Sequence, residues 1–143
     1  MGDMIKIAAL NEDALFPAYL AAPVGAAKAA VIVIPEIFGV NAGIRQKCDH
    51  LANDGYLAIA PDIFWRFAPG VELNPDVEAQ LQEAFGYFGQ YDADDGVKDN
   101  GVGFQAMPPS KMWAVSATAW VDDWPIWRRH APISVHRLAI MAS

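Results

Sequence analysis

The segment Val-Ile-Val-Ile-Pro-Glu-Ile-Phe-Gly-Val-Asn, residues 31–41, sets a carboxylate, Glu36, just past a run of β-branched apolar residues. Such a run reads as a buried strand. In open α/β proteins the C-terminal ends of parallel strands are where ligands and chemistry gather. Position alone leaves two readings of Glu36: a solvated loop acid paired with Arg45, or a carboxylate that serves a partner elsewhere in the chain.

The remaining reactive residues form no competing site. Cys48-Asp49-His50 holds a nucleophile, an acid and a base, but helical neighbours one and two apart point in different directions and cannot converge. Cys48 therefore reads as a small core residue. Ser116, in Ala-Val-Ser-Ala-Thr-Ala, lacks the flanking glycines of a strained nucleophile turn and reads as structural. His130 and His136 with Asp122 and Asp123 match no metal-ligand spacing. There is no Gly-x-Ser-x-Gly, no Walker loop and no dinucleotide-binding glycine pattern.

The elements that must position Glu36 follow from periodicity. Met4–Leu10 and Phe16–Pro23 read as two strands of a hairpin joined through the polar residues 11–14. After the Glu36 loop, Ile44, Cys48 and Leu51 share one helical stripe, and Gly55 is a natural stop. Tyr56–Asp62 then reads as a second buried strand, so the unit is strand–helix–strand and parallel. Asn74-Pro75 reads as a cap and first-turn proline opening a helix whose apolar face is Val77, Leu81, Phe85 and Phe88. Residues 92–99 read as the polar start of another helix, and 112–120 as a candidate strand.

A chain of 143 residues fits one domain, and 54% hydrophobic with 19% charged residues indicates a globular protein. The net charge of −7 argues against nucleic acid and against an anionic membrane surface. No membrane-span-length apolar run and no signal-peptide pattern is present, and the single cysteine allows no internal disulfide. A cytoplasmic location is expected. Residues 1–100 are net acidic; the remainder is net basic and holds Trp113, Trp120, Trp124 and Trp127. Such a shift marks a second module or a segment of different origin.

From about Lys6 to about Asp99 the chain resembles the dienelactone hydrolase (carboxymethylenebutenolidase) family of α/β-hydrolases. The resemblance rests on Glu36-Ile-Phe-Gly-Val-Asn41, the Arg45 helix, residues 51–70 and residues 74–85. It implies hydrolysis of small-molecule esters or lactones through a Cys-His-Asp triad, with no metal or organic cofactor. Glu36 matches the loop glutamate that helps generate the thiolate. Ile37 matches the residue whose backbone N–H enters the oxyanion hole. A thiol is weakly ionised at neutral pH, so a nearby base must take its proton before it attacks a carbonyl. Family members specific for dienelactone carry an arginine on the helix matched by residues 75–88. Leu81 stands there in this chain, which removes the clamp for a substrate carboxylate. No Gly-x-Cys-x-Gly occurs anywhere, and no downstream Asp or His matches the triad.

The expected fold is α/β, a truncated α/β-hydrolase with a mostly parallel sheet flanked by helices over residues 1–99. Residues 100–143 form a tail without a family match. Ending the family part near Asp99 would expose the edge of Val31–Ile34 or of a neighbouring strand and invite non-native self-association.

The tail reads as the family's nucleophile region translated out of frame. Each shifted codon takes the third base of one codon and the first two of the next. Met112-Trp113 must then spell Val, Trp113-Ala114 Gly, Trp120-Val121 Gly, Asp123-Trp124 Leu and Trp124-Pro125 Ala. The intervening junctions permit Val at Val115-Ser116, Gly at Ser116-Ala117, Tyr at Ala117-Thr118 and Cys at Thr118-Ala119. The composite, Val-Gly-x-Val-Gly-Tyr-Cys-Leu-Gly-Gly-Arg-Leu-Ala, resembles a strand, a cysteine elbow and the start of a helix. Two alternatives stand beside it: a non-catalytic binding or regulatory module that keeps the half-site around Glu36, and a fusion whose Trp-rich tail is a binding module.

Overall fold

The computed structural model describes residues 1–9, 12–105 and 113–117, with side chains as far as residue 100. Trp120, Asp122, Asp123, Trp124, Trp127, His130 and His136, and the side chains of Trp113 and Ser116, lie outside the described residues.

Strands β1 (Asp3–Ala8) and β2 (Leu15–Ala21) form the expected antiparallel hairpin, with Ala8 opposite Leu15 and Asp3 opposite Leu20. Strand β3 (Ala30–Ile34), helix α1 (Ala42–Asn53) and strand β4 (Leu57–Pro61) make the parallel unit. Helices α2 (Glu78–Phe88) and α3 (Ala93–Gln105) follow, and then strand β5 (Trp113–Ala117). The sheet runs β1-β2-β4-β3-β5. β2 joins β4 antiparallel, while β4, β3 and β5 are parallel, so the sheet is mixed with its parallel half around β3.

Alternation along β3 sends its side chains to two separate cores. Val31 and Val33 meet Ile44, Cys48 and Ala52 of α1 on one face; Ile32 meets Ile7, Phe16 and Ile59 on the other. All three β3 side chains are at most 1% exposed, which explains the unbroken apolar run. Each such burial stabilises by roughly 1.5–3 kcal/mol. Asn41 caps α1 by accepting from the Ile44 N–H at 3.1 Å, and Gly55 ends the segment at φ 94°.

The second core is pinned to α3 by a polar network. Trp65 stacks on Phe16 with ring centroids 5.1 Å apart and donates its indole N–H to Asp99 at 2.8 Å. Arg66 forks onto the same carboxylate, reaches Glu12 at 2.6 Å and lies 4.4 Å from the Trp65 ring centroid. Asp99 is 1% exposed, so these donors replace its lost water.

Cys48 is fully buried, and burial, with the neighbouring Asp49 charge, pushes its thiol up to about 12. Native protein should leave this thiol unreactive toward an aromatic disulfide reagent and release it only on unfolding. An unfolded thiol ionises near 8.5. The stability due to the protonated thiol is thus full below about 8.5 and fades as pH climbs toward about 12. Rapid labelling of the native chain at neutral pH would contradict this placement.

The second helix departs from expectation. It begins at Glu78, not at Pro75, with Val77 as an N-cap that makes no side-chain capping bond. Asn74 spends its side-chain oxygen on the Asp76 N–H at 3.0 Å, and Val77 is extended at φ −105°, so the helix starts after that turn. Its apolar stripe does not face the core. Val77, Phe85 and Phe88 are 39%, 53% and 43% exposed, and Ala84 is the buried residue. Periodicity marks a face that can be buried without saying against what.

Candidate active-site edge

Because β3, β4 and β5 are parallel, their C-terminal ends share one edge. The register sets Ile34 level with Ala117, so β5 ends beside the point where the chain turns out toward Glu36. Of the two expected edges, Val31–Ile34 is paired on both sides, and among the described residues the sheet edge on that side falls on its neighbour β5.

Glu36 opens a tight turn. Its carbonyl accepts the Gly39 N–H at 3.1 Å, and Gly39 adopts φ +73°. A Cβ on Gly39 would stand 2.0 Å from the Val71 carbonyl oxygen, so only glycine fits both the conformation and the approach. Asn41 donates to the Leu73 carbonyl at 3.0 Å, and Leu73 N–H donates to the Phe38 carbonyl at 2.9 Å. The turn is thus fastened to residues 71–73. Among the described residues no acceptor takes the Ile37 N–H, and Ile37 is half-buried. An amide held by the turns around it and left without a partner suits a developing oxyanion.

Arg45 is not the partner of Glu36. Its guanidinium meets Glu72 at 2.6 Å and the Val40 carbonyl at 2.9 Å. Lys47 is the cation near Glu36, at 4.0 Å, and the glutamate side chain is 33% exposed. A pair at that distance and exposure contributes little to stability.

Asp62, the residue after β4, is a further carboxylate on this edge. It is 2% exposed and accepts the Phe64 N–H at 2.9 Å and the Gly70 N–H at 2.7 Å. Burial raises its pKa, and the two amides pull it back. It ties down the loop 62–70, whose residues 68–70 line a cleft of about 330 Å³ together with residues 71–73, Glu83 and Tyr87. The rule that singled out Glu36, a carboxylate at the end of a buried strand, applies equally to Asp62.

Cys48 lies in the core of α1, Asp49 accepts from the Tyr19 hydroxyl at 2.9 Å and the Gly2 N–H at 2.8 Å, and His50 is exposed. The three do not converge. Among the described residues no group of three or more His, Cys, Asp or Glu could hold a metal ion. No described helix is long and apolar enough to cross a membrane.

The family model for the dienelactone hydrolase family matches residues 16–108, starting and ending later than the resemblance read from residues 6–99. A candidate carboxymethylenebutenolidase of Azospirillum brasilense is 42% identical over 85 residues, covering 59% of this chain and 37% of that protein. The carboxymethylenebutenolidase of Pseudomonas sp. strain P51 is 39% identical over 84 residues, covering 59% of this chain and 35% of its own length. A crystal structure of a candidate dienelactone hydrolase from Klebsiella pneumoniae superposes with TM-score 0.64 at 28% identity, over 84% of this chain and 50% of that one. The chain thus spans little more than a third of those two relatives' length and half of the solved structure.

Proposed function

The chain belongs to the dienelactone hydrolase family, and we propose that it carries the thiolate-promoting and oxyanion half of a hydrolase acting on small-molecule esters or lactones. The missing half is a cysteine displaced from the reading frame within residues 100–143. The observation that carries this reading is the register of β5. Ala117, the last residue of β5, pairs with Ile34, and the Thr118-Ala119 junction, where the shifted frame allows Cys, follows it directly in the sequence.

In this reading the restored thiol gives up its proton with the help of the Glu36 carboxylate. The thiolate attacks the ester or lactone carbonyl, and the charge on the carbonyl oxygen is taken by the Ile37 N–H, a donor worth roughly 3 kcal/mol of barrier. Collapse breaks the acyl C–O bond, and the alkoxide takes up the proton that the thiol gave, leaving as alcohol from an ester or staying tethered in a lactone. Water then hydrolyses the thioester to acid and free thiol. A free intracellular thiolate of this kind belongs in a reducing, cytoplasmic setting.

Glu36→Gln tests the assignment. In the chain as translated the substitution should change urea stability by no more than ~0.5 kcal/mol, because Glu36 makes no close pair. In frame-restored protein it should lower aryl-ester hydrolysis about a hundredfold or more. Unchanged hydrolysis would remove Glu36 from the mechanism.

The absent cysteine favours one alternative: a non-catalytic binding or regulatory module that uses the same turn without turnover. The exposed Val77, Phe85 and Phe88 also support self-association of the translated chain. Light scattering should find oligomers at micromolar concentration; a monomer with a cooperative, reversible melt would refute this.

A further inference from the structure

We infer that the cleft beside the Glu36 turn receives the non-reacting part of the substrate, and that this part is uncharged or cationic rather than a carboxylate. The inference rests on the hydrolase reading above and adds the substrate class.

The cleft's wall is fastened to the Glu36 turn. Gly39 bridges to Glu72, and Phe38 accepts from Leu73, so the wall and the Glu36 turn are one hydrogen-bonded piece. Asp62 holds the same wall at Gly70. A cleft braced at both ends can select a ligand without first having to order itself.

Its chemistry is one-sided. Among the described residues, the charged side chains that line it are Glu72 and Glu83, with no Lys or Arg. The nearest guanidinium, Arg45, is spent on Glu72 and the Val40 carbonyl. Glu83 accepts the Tyr87 hydroxyl at 2.7 Å, which keeps its charge beside the phenol ring. Tyr87 lies 6.4 Å from Phe67, itself 40% exposed, so aromatic surface stands next to carboxylate. Aromatic faces and carboxylates attract cations and accept neutral groups; a carboxylate ligand meets repulsion and finds no clamp.

The probes are three compounds with one ring and different charge: 2-phenylethylamine, phenylacetamide and phenylacetate. Saturation-transfer NMR on the full translated chain reads binding whether or not it self-associates. The amine and the amide should bind, with phenylacetate at least about tenfold weaker. Glu72→Gln frees Arg45, so it should raise phenylacetate binding and weaken the amine. Glu83→Gln should weaken the amine alone. Equal binding of all three, no binding of any, or a preference untouched by both variants would overturn the inference. Hydrolysis separates it from the reading it rests on. A frame-restored enzyme that cleaves anionic and neutral esters equally well sinks the charge preference and keeps the hydrolase. A restored chain that binds selectively and cleaves neither sinks the hydrolase and keeps the preference.

Discussion

Frame-restored protein, continued through the downstream sequence that its relatives possess, is expected to hydrolyse an aryl ester at least about a thousand times faster than the translated chain. The activity should disappear with a thiol-alkylating reagent. The translated chain keeps a prearranged amide at Ile37 and a carboxylate at Glu36, but its one cysteine is buried in the α1 core. On the displaced-cysteine reading, those groups have no thiol to activate until the frame is restored. Equal, thiol-independent rates in the two proteins would mean that the tail was never the nucleophile region.

The largest stability effect is expected at Arg66. Its guanidinium forks onto Asp99, whose side chain is 2% exposed, and it also reaches Glu12. Arg66→Ala leaves Asp99 buried with the Trp65 indole N–H as its remaining side-chain donor. Breaking one side of a buried pair costs about 3–5 kcal/mol, because the orphaned charge stays in low dielectric. Replacing Asp99 by Asn in the same protein should recover part of that loss. Urea unfolding of both variants measures it. A cost below about 1 kcal/mol would show that α3 is held by packing and not by this network.

Local signals read well in this chain, and distant ones did not. β3 and β4 were legible because each is buried on both faces and reads as an apolar run bounded by breakers. α1 was legible from its stripe, its Asn41 cap and Gly55. α2 starts later than its Asn74-Pro75 signal implies, because those residues serve a turn as readily as a helix and Val77 is held extended. Sequence proximity pairs Arg45 with Glu36, but folding delivers Glu72 from the opposite loop. Pairings of that kind, like Arg66 with Asp99, join segments far apart in the chain and leave no periodic trace. Of the proposed site, Glu36 is marked by position and Ile37 by resemblance, while Asp62 and the cleft wall beyond it depend on the loop folded back.

The most direct test is the nucleotide sequence across Met112 to Pro125, read from an independent isolate of the gene and its transcript. The displaced-cysteine reading requires codons at Ala117, Thr118 and Ala119 that spell Tyr-Cys in the shifted frame, and an open frame continuing past that point to a matched Asp and His. Codons there that cannot spell Tyr-Cys, or an immediate stop in the shifted frame, would contradict it.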